Sequence, residues 1–219
     1  MLAPFPQDAY KIVTPRLVIR SATPDDAEGL HSILTTPDNQ PFETVKTDVT
    51  PDDIRARIGR WQPMTASGKN AFMVVALRET GEIIGNGGFN CFELSGGETC
   101  DVAIKQARES GDERRITPYL TDTGVVLDHR QWGKGYGREV LCAKIEYAME
   151  ELGCSVVRVE TDEANKPWRA LMASLGLGHL EVIGPVSYDE NLIAVGYSID
   201  AATWKVARES LRQKGKWPL

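Results

Sequence analysis

One glycine-rich octapeptide constrains this chain more than any other part of its sequence. Residues 130–137 read Arg-Gln-Trp-Gly-Lys-Gly-Tyr-Gly, between a strand-like apolar segment, 124–128, and a helix-like segment, 138–152. Glycines allow backbone conformations that other residues avoid. The first turn of a helix leaves amide groups unpaired at the positive end of its dipole. A strand, glycine turn and helix in this order therefore predict a phosphate or pyrophosphate site, to which Lys134 and Arg138 add positive charge.

Two familiar phosphate-binding motifs do not fit this octapeptide. The dinucleotide fingerprint GxGxxG needs a glycine at the position of Arg138. The P-loop needs a glycine at the position of Asp128, and a Ser or Thr directly after a Gly-Lys pair, which the sequence lacks. The anion site therefore belongs to a different class of phosphate-binding protein.

The rest of the chain alternates between strand-like and helix-like segments, which indicates an α/β domain. We expect strands at 16–20, 71–77, 83–92, 124–128, 155–161, 180–183 and 192–199. We expect helices from 23 to 34, 51 to 61, 138 to 152 and 165 to 175, with a weakly helical tail from 201 to 212 within the C-terminal segment 201–219. The polar stretch from Glu93 to Pro118 is predicted to be irregular and is interpreted as an insertion. A single domain over residues 1–219 accommodates all of these segments.

Composition narrows the class of protein further. The 219 residues carry a net charge of -6, which disfavours a dedicated nucleic-acid binder. No stretch approaches the roughly 18 to 20 apolar residues that span a bilayer, and the first residues do not resemble a signal peptide. The four cysteines form no CxxC pair and no zinc-ligand spacing. We therefore expect a soluble, cytoplasmic protein without a metal, with free thiols at Cys91, Cys100, Cys142 and Cys154.

The octapeptide does fit the pattern Arg/Gln-x-x-Gly-x-Gly/Ala, with Arg130, Gly133 and Gly135 in place. With its flanking segments it resembles the GCN5-related N-acetyltransferases (GNAT), which bind acetyl-CoA. The segment 14–20, Thr-Pro-Arg-Leu-Val-Ile-Arg, and the later Glu160-Thr161 followed by Asn165 are similar to the branch that includes ribosomal-protein-alanine N-acetyltransferases. The resemblance covers residues 14–200, apart from the insertion.

This resemblance implies a particular fold and a particular cofactor site. The implied fold is a mixed, mostly antiparallel sheet of about six to seven strands flanked by helices. A splayed pair of parallel strands would receive the pantetheine arm of acetyl-CoA, and a backbone amide near Val126 or Leu127 would polarise the thioester carbonyl. The implied cofactor-binding residues are Val125, Val126, Leu127, Arg130, Gly133, Lys134, Gly135, Tyr136, Gly137, Arg138, Asn165 and Trp168.

The resemblance also implies a base for the acceptor amine, which must be neutral to attack. A Glu often stands at the start of the glycine-turn strand in this branch, where this chain has Asp122. We therefore expect Asp122 to be the catalytic base, with Glu43 and Asp128 as alternative acids. Asp128 could equally stabilise a turn.

The acid that protonates the departing thiolate is harder to assign. The usual Tyr of the family is replaced by Met172, and a Ser found in other members is replaced by Trp168. Water, Tyr136 and Tyr197 are the remaining candidates. Trp168 could instead stack along the cofactor or wall the acceptor site. Asn165 could bond the pantetheine arm, cap its helix, or do both.

Three functions are consistent with these residues. The first is transfer of an acetyl group from acetyl-CoA to a primary amine of a small molecule. The second is acetylation of a protein N-terminus or lysine, and the third is an acyl-CoA sensor without turnover. The segment 93–118 and the loop 37–48 are expected to roof a compact acceptor pocket, which favours the first. Members of the family are often monomers or dimers.

Overall fold

Eight strands form one sheet in this computed structural model, which describes residues 2–112 and 114–219. Their order across the sheet is β1-β2-β3-β4-β5-β6-β8-β7. The strands are β1 (Lys11–Val13), β2 (Leu17–Ser21), β3 (Ala71–Leu77), β4 (Ile83–Glu93), β5 (Leu120–Leu127), β6 (Val156–Thr161), β7 (Val182–Val186) and β8 (Asp189–Asp200). The predicted mixed sheet is confirmed, with one strand more than expected. The extra strand, β1, has only three residues, too few to show an alternating pattern.

Every neighbouring pair of strands is antiparallel except β5 and β6, which are parallel. These two strands pair only from Leu120 to Asp122 on β5, opposite Val156 to Arg158 on β6. Strand β5 stays paired with β4 as far as Leu127, while β6 stays paired with β8 as far as Thr161. The sheet therefore opens between β5 and β6 beyond Asp122, which is the splayed parallel pair that the resemblance implied.

Helices cover both faces of the sheet. They are α1 (Ala27–Thr35), α2 (Pro51–Ala66), α3 (Cys100–Ser110), α4 (Tyr136–Glu146), α5 (Lys166–Ser174) and α6 (Ala201–Gln213). Helices α1 and α2 enclose a small core around Leu30, Ile58 and Val74 on one face. The larger core lies on the other face, where residues of α3, α4, α5 and α6 pack against the strands. Within the described residues, no helix has both the length and the apolar character needed to cross a lipid bilayer.

The segment 93–118 differs from the prediction, because much of it is helix α3 rather than irregular chain. Cys100, Ala103, Ile104 and Ala107 follow helical spacing, and all four are buried in the larger core. Gly111 ends the helix with a left-handed φ of 70°. The prediction was wrong because short Ala and Cys side chains form an apolar stripe that is hard to see among many charges.

Two other predicted helices also differ in detail. The helix that follows the glycine turn is α-helical to Glu146 and continues as a π-helix over Tyr147–Leu152. The tail predicted to be weakly helical forms α6, whose Trp204 and Leu211 are buried in the larger core. The C-terminal helix is therefore part of the packed domain.

Candidate active site

The glycine turn has the backbone conformation that its sequence predicts. Gly133 and Gly135 have φ angles of 76° and 83°, a left-handed region that glycine enters without steric cost. Gly135 precedes the first residue of α4 directly. In the part of the chain that the structure describes, no group accepts a hydrogen bond from the backbone amides of residues 133–138. The turn therefore presents consecutive unpaired donors at the positive end of a helix.

A buried carboxylate fixes this turn to the N-terminal part of the chain. Glu139, in the first turn of α4, is 1% exposed. Its Oε1 accepts hydrogen bonds from the Thr14 hydroxyl at 2.6 Å and from the Arg16 amide at 2.9 Å. Its Oε2 is 2.6 Å from Arg16 Nε. Because the charge is fully partnered, it holds α4 and the start of β2 in one arrangement.

Arg16 also reaches the turn itself. Its Nη1 donates to the carbonyl of Lys134 at 2.9 Å, and its guanidinium lies 4.5 Å from the centre of the Tyr136 ring. Neither Arg16 nor Glu139 is among the site residues predicted from the sequence. The signal was present in the Thr14-Pro15-Arg16 phrase and in an acidic residue beside the glycines, but nothing in the sequence links segments 123 residues apart.

Asp128 and Arg130 stabilise the entry to the turn. The Asp128 carboxylate accepts the Arg130 amide at 2.9 Å and caps the short 3-10 helix over His129–Gln131. The Arg130 guanidinium bonds both carboxylate oxygens. This hydrogen bonding holds the pKa of Asp128 below its usual value. Of its two predicted roles, the geometry favours the turn-stabilising one.

The backbone of β5 presents alternate residues to the gap beside it. The Asp128 amide donates to the Ile84 carbonyl of β4 at 2.9 Å, so the hydrogen-bonded pairs of the ladder fall at Val126 and Gly124. The backbone groups of Val125 and Leu127 consequently point away from β4, toward the gap. The Leu127 carbonyl already accepts the Trp132 indole N–H at 3.0 Å.

Helix α5 places two further predicted residues after β6. The Asn165 side chain caps α5 by accepting the Trp168 amide at 3.1 Å, and its amide group donates to the Thr161 hydroxyl. The indole nitrogen of Trp168 is buried, as is Nε of Arg138, and neither has a partner among the described residues. Buried donors without acceptors are costly, so both positions fit a ligand that supplies acceptors.

Asp122 lies where β5 and β6 separate. Its Oδ1 accepts the Asn90 amide at 2.6 Å, and its Oδ2 lies 3.2 Å from Nε of Arg158, its pairing partner on β6. Burial raises the pKa of Asp122, while Asn90 and Arg158 act in the opposite direction. Asp122 is therefore a buried, oriented carboxylate at the apex of the gap.

Further acidic groups surround this apex. Arg158 lies 3.5 Å from the Glu93 carboxylate and 3.9 Å from that of Glu160. Together with Asp122, three carboxylates in all therefore face one guanidinium. The Glu160 carboxylate accepts hydrogen bonds from the amide and hydroxyl of Ser187, at the tip of the β7–β8 hairpin. The hairpin tip is thereby held beside the gap, and the site carries excess negative charge.

Known proteins resemble the chain at both sequence and fold level. A family model described as the acetyltransferase (GNAT) domain matches residues 16–178, which is more than half of the chain. The chain belongs to the GNAT family of acetyltransferases.

One relative is similar in sequence over part of its length. The FsC-acetyl coenzyme A-N(2)-transacetylase of Aspergillus fumigatus is 32% identical over 103 residues, and the match covers 44% of this chain and 43% of the fungal protein. Less than half of that relative is therefore spanned.

Among solved structures, apo FdhC, described as a nucleotide-linked sugar GNAT, has a TM-score of 0.66 at 13% identity and covers 96% of this chain and 99% of its own. RimL, a ribosomal alpha-N-protein acetyltransferase in complex with coenzyme A, has a TM-score of 0.64 at 14% identity and covers 89% and 99%. At these identities the likeness concerns the fold.

One of the two tyrosines considered as the acid is already engaged in a hydrogen bond. The Tyr197 hydroxyl donates to Glu181 at 2.7 Å, and burial raises its pKa to about 12. Met172 is fully buried in the core. Tyr136 packs against the Arg16 guanidinium. Water and Tyr136 are therefore the candidate proton sources that remain.

The four cysteines are free thiols, as predicted. Burial raises the pKa of Cys142 and of Cys154 to about 12, so neither forms a thiolate readily near neutral pH. This chemistry disfavours a route through a cysteine acyl-enzyme and favours direct transfer to the amine.

Proposed function

We propose that this GNAT enzyme transfers the acetyl group of acetyl-CoA to a primary amine of a small, cationic molecule. One observation carries the proposal. The gap between β5 and β6 has free amides at the glycine-turn end and an excess of carboxylates at its apex. An anionic donor and a cationic acceptor are therefore attracted to opposite ends of one opening.

The residues at the glycine-turn end fit acetyl-CoA. The free amides of 133–138 suit the pyrophosphate, and the unpartnered Nε of Arg138 is an additional donor for an anion. The backbone groups of Val125 and the N–H of Leu127 face the gap, where they would bind the pantetheine arm. Lys134, Tyr136, Asn165 and Trp168 are proposed to line the same donor site. Acetyl-CoA supplies the activated thioester.

At the apex, Asp122 is proposed to receive the proton of the attacking amine. Its carboxylate is oriented by Asn90 and Arg158, and its burial-raised pKa makes it a stronger base than an exposed aspartate. The amine nitrogen bonds to the acetyl carbon, the carbon–sulfur bond breaks, and water protonates the leaving thiolate. Much of the rate comes from holding the two reactants together.

The surroundings of the apex favour a compact acceptor. The tip of the β7–β8 hairpin is hydrogen-bonded to Glu160. At that tip, partial burial raises the pKa of Tyr188, and the negative charges of Glu160 and of Glu43, in the loop 37–48, raise it further. Asn39, at the start of the same loop, accepts the His129 amide at 2.8 Å. Two loops are thus anchored around the site. Glu93 brings a carboxylate from the start of the segment 93–118.

The test is a thiol-release assay over small amines, short peptides and acetyl-CoA alone. Release with small di- and polyamines or basic amino acids, and weak release with peptides, is the expected result. Release with peptides alone would replace this proposal with a protein acetyltransferase. Tight acetyl-CoA binding without release over the whole panel would identify a sensor.

A further inference from the structure

The GNAT site described so far leaves one buried charge unused, on the inner face of α4. Lys144 is wholly buried, and its Nζ lies 2.5 Å from the carbonyl oxygen of Gly124 on β5. A Cβ on Gly87, in the neighbouring strand β4, would lie 3.2 Å from this nitrogen and 2.5 Å from the Gly124 oxygen. Glycine at 87 therefore leaves the room in which the amine meets the strand.

Burial strongly lowers the affinity of this amine for a proton. It lowers the pKa of Lys144 to about 7, and the carboxylate of Asp122 acts in the opposite direction. Among the described residues, Asp122 is the ionisable group whose charge raises the pKa of Lys144. A lysine that is merely solvated would lie at the surface with its ordinary pKa, so this one is held beneath β5 by the fold.

The carbonyl that Lys144 contacts belongs to the same peptide unit as the Val125 amide. In a trans peptide the two groups point in opposite directions, and the register of β4 and β5 directs the Val125 amide into the gap. A donor on the carbonyl oxygen polarises the peptide and strengthens its N–H as a donor. The contact of Lys144 with the Gly124 carbonyl therefore strengthens an N–H donor in the gap, because both groups belong to one peptide unit.

We propose that Lys144 is a positioning residue that fixes and polarises the 124–125 peptide, so that the Val125 amide stabilises negative charge developing on the acetyl carbonyl oxygen. This inference rests on the proposed function, because it assumes that the acetyl group lies in the gap. Preorganised donors of this kind are worth the most where water is excluded.

The experiment compares Lys144→Met with Leu141→Met, a control buried in the same helix. The ¹H and ¹⁵N chemical shifts of the Val125 amide are followed with pH in the protein alone. In the wild type and in Leu141→Met they should move through a transition near neutral pH, and in Lys144→Met they should stay flat. A substitution that only disturbs the packing of the core and leaves Lys144 in place would not remove the transition.

Kinetics supply the second readout. With acetyl-CoA, Lys144→Met should lower kcat by about tenfold and change KM by less than about twofold, because the lost effect belongs to the transition state. Failure of the wild type to turn over any amine would refute the proposed function, while the amide titration would still test the coupling.

A Val125 amide that titrates identically in wild type and Lys144→Met would overturn the proposal. If that variant does not fold, the ¹³C shift of the Gly124 carbonyl in the wild type takes its place. A flat Gly124 shift across neutral pH would then be the contradicting result.

Discussion

The conformation of Gly135 allows a quantitative test of the glycine turn. Gly135→Ala places a Cβ on a residue with φ of 83°, and the left-handed conformation costs a non-glycine residue about 1–2 kcal/mol. The added Cβ would lie 3.4 Å from Nη2 of Arg16, an ordinary contact that contributes little. The backbone strain is therefore the main effect.

This strain should appear as lost affinity. The turn is exposed, so the free variant can relieve the strain by shifting the turn, and the cost returns when the amides must converge on a phosphate. A cost of about 1.4 kcal/mol corresponds to a tenfold weaker Kd for acetyl-CoA. Calorimetric titration measures it directly.

Gly137→Ala is the matched control, two residues along in the first turn of α4. Gly137 does not have a positive φ, and its added Cβ would lie 3.6 Å from Leu171 Cδ2, an ordinary contact. Alanine is favoured over glycine in a helix by about 1 kcal/mol, so this variant should bind as well as the wild type. Equal affinities of Gly135→Ala and Gly137→Ala would show that the left-handed conformation of Gly135 is not needed for acetyl-CoA binding.

Three further predictions follow from the same geometry. Asp122→Asn should lower kcat most at low pH, where the acceptor is protonated, and should leave the Kd of acetyl-CoA unchanged; pH-independent loss in a pH–rate profile would contradict its role as base. Glu139→Gln should lower the free energy of unfolding by about 2 kcal/mol in urea titrations, since it weakens charge-assisted bonds to Arg16, and an unchanged midpoint would show that the Glu139–Arg16 contact does not stabilise the fold. Because the unfolded chain binds a proton at Lys144 that the folded chain lacks above about pH 7, stability relative to Lys144→Met should rise by about 1.4 kcal/mol per pH unit toward the pKa of free lysine; a flat difference would show that Lys144 is charged in the fold.

The parts of the fold that could be predicted are those governed by local patterns. The predicted strand 71–77 matches β3 at both ends, and the predicted start of the helix after the glycines lies two residues from its observed start at Tyr136. Glycine spacing fixes a turn because the required φ angles are local properties of the chain. Helix α3 was missed because three of the four side chains on its buried face are Cys or Ala, and Ile104 alone gives only a weak apolar pattern.

The parts of the site that escaped prediction depend on contacts between distant segments. The Arg16–Glu139 pair and the contact of Asn90 with Asp122 join elements that meet only through the sheet topology. Lys144 carries no sign of burial in the sequence, and its amine has room beside β4 because residue 87 is a glycine. A single sequence carries the residues but not the register that brings them together.

An internal competition between two acceptors tests whether the gap delivers the acetyl group to a small cationic amine. A short diamine and a peptide with a free N-terminus are mixed at equal concentration with the enzyme and acetyl-CoA, and mass spectrometry measures both acetylated products. The acetylated diamine should accumulate at least about tenfold faster, as a difference of about 1.4 kcal/mol in transition-state binding requires. Faster acetylation of the peptide would show that the acceptor is not a small amine.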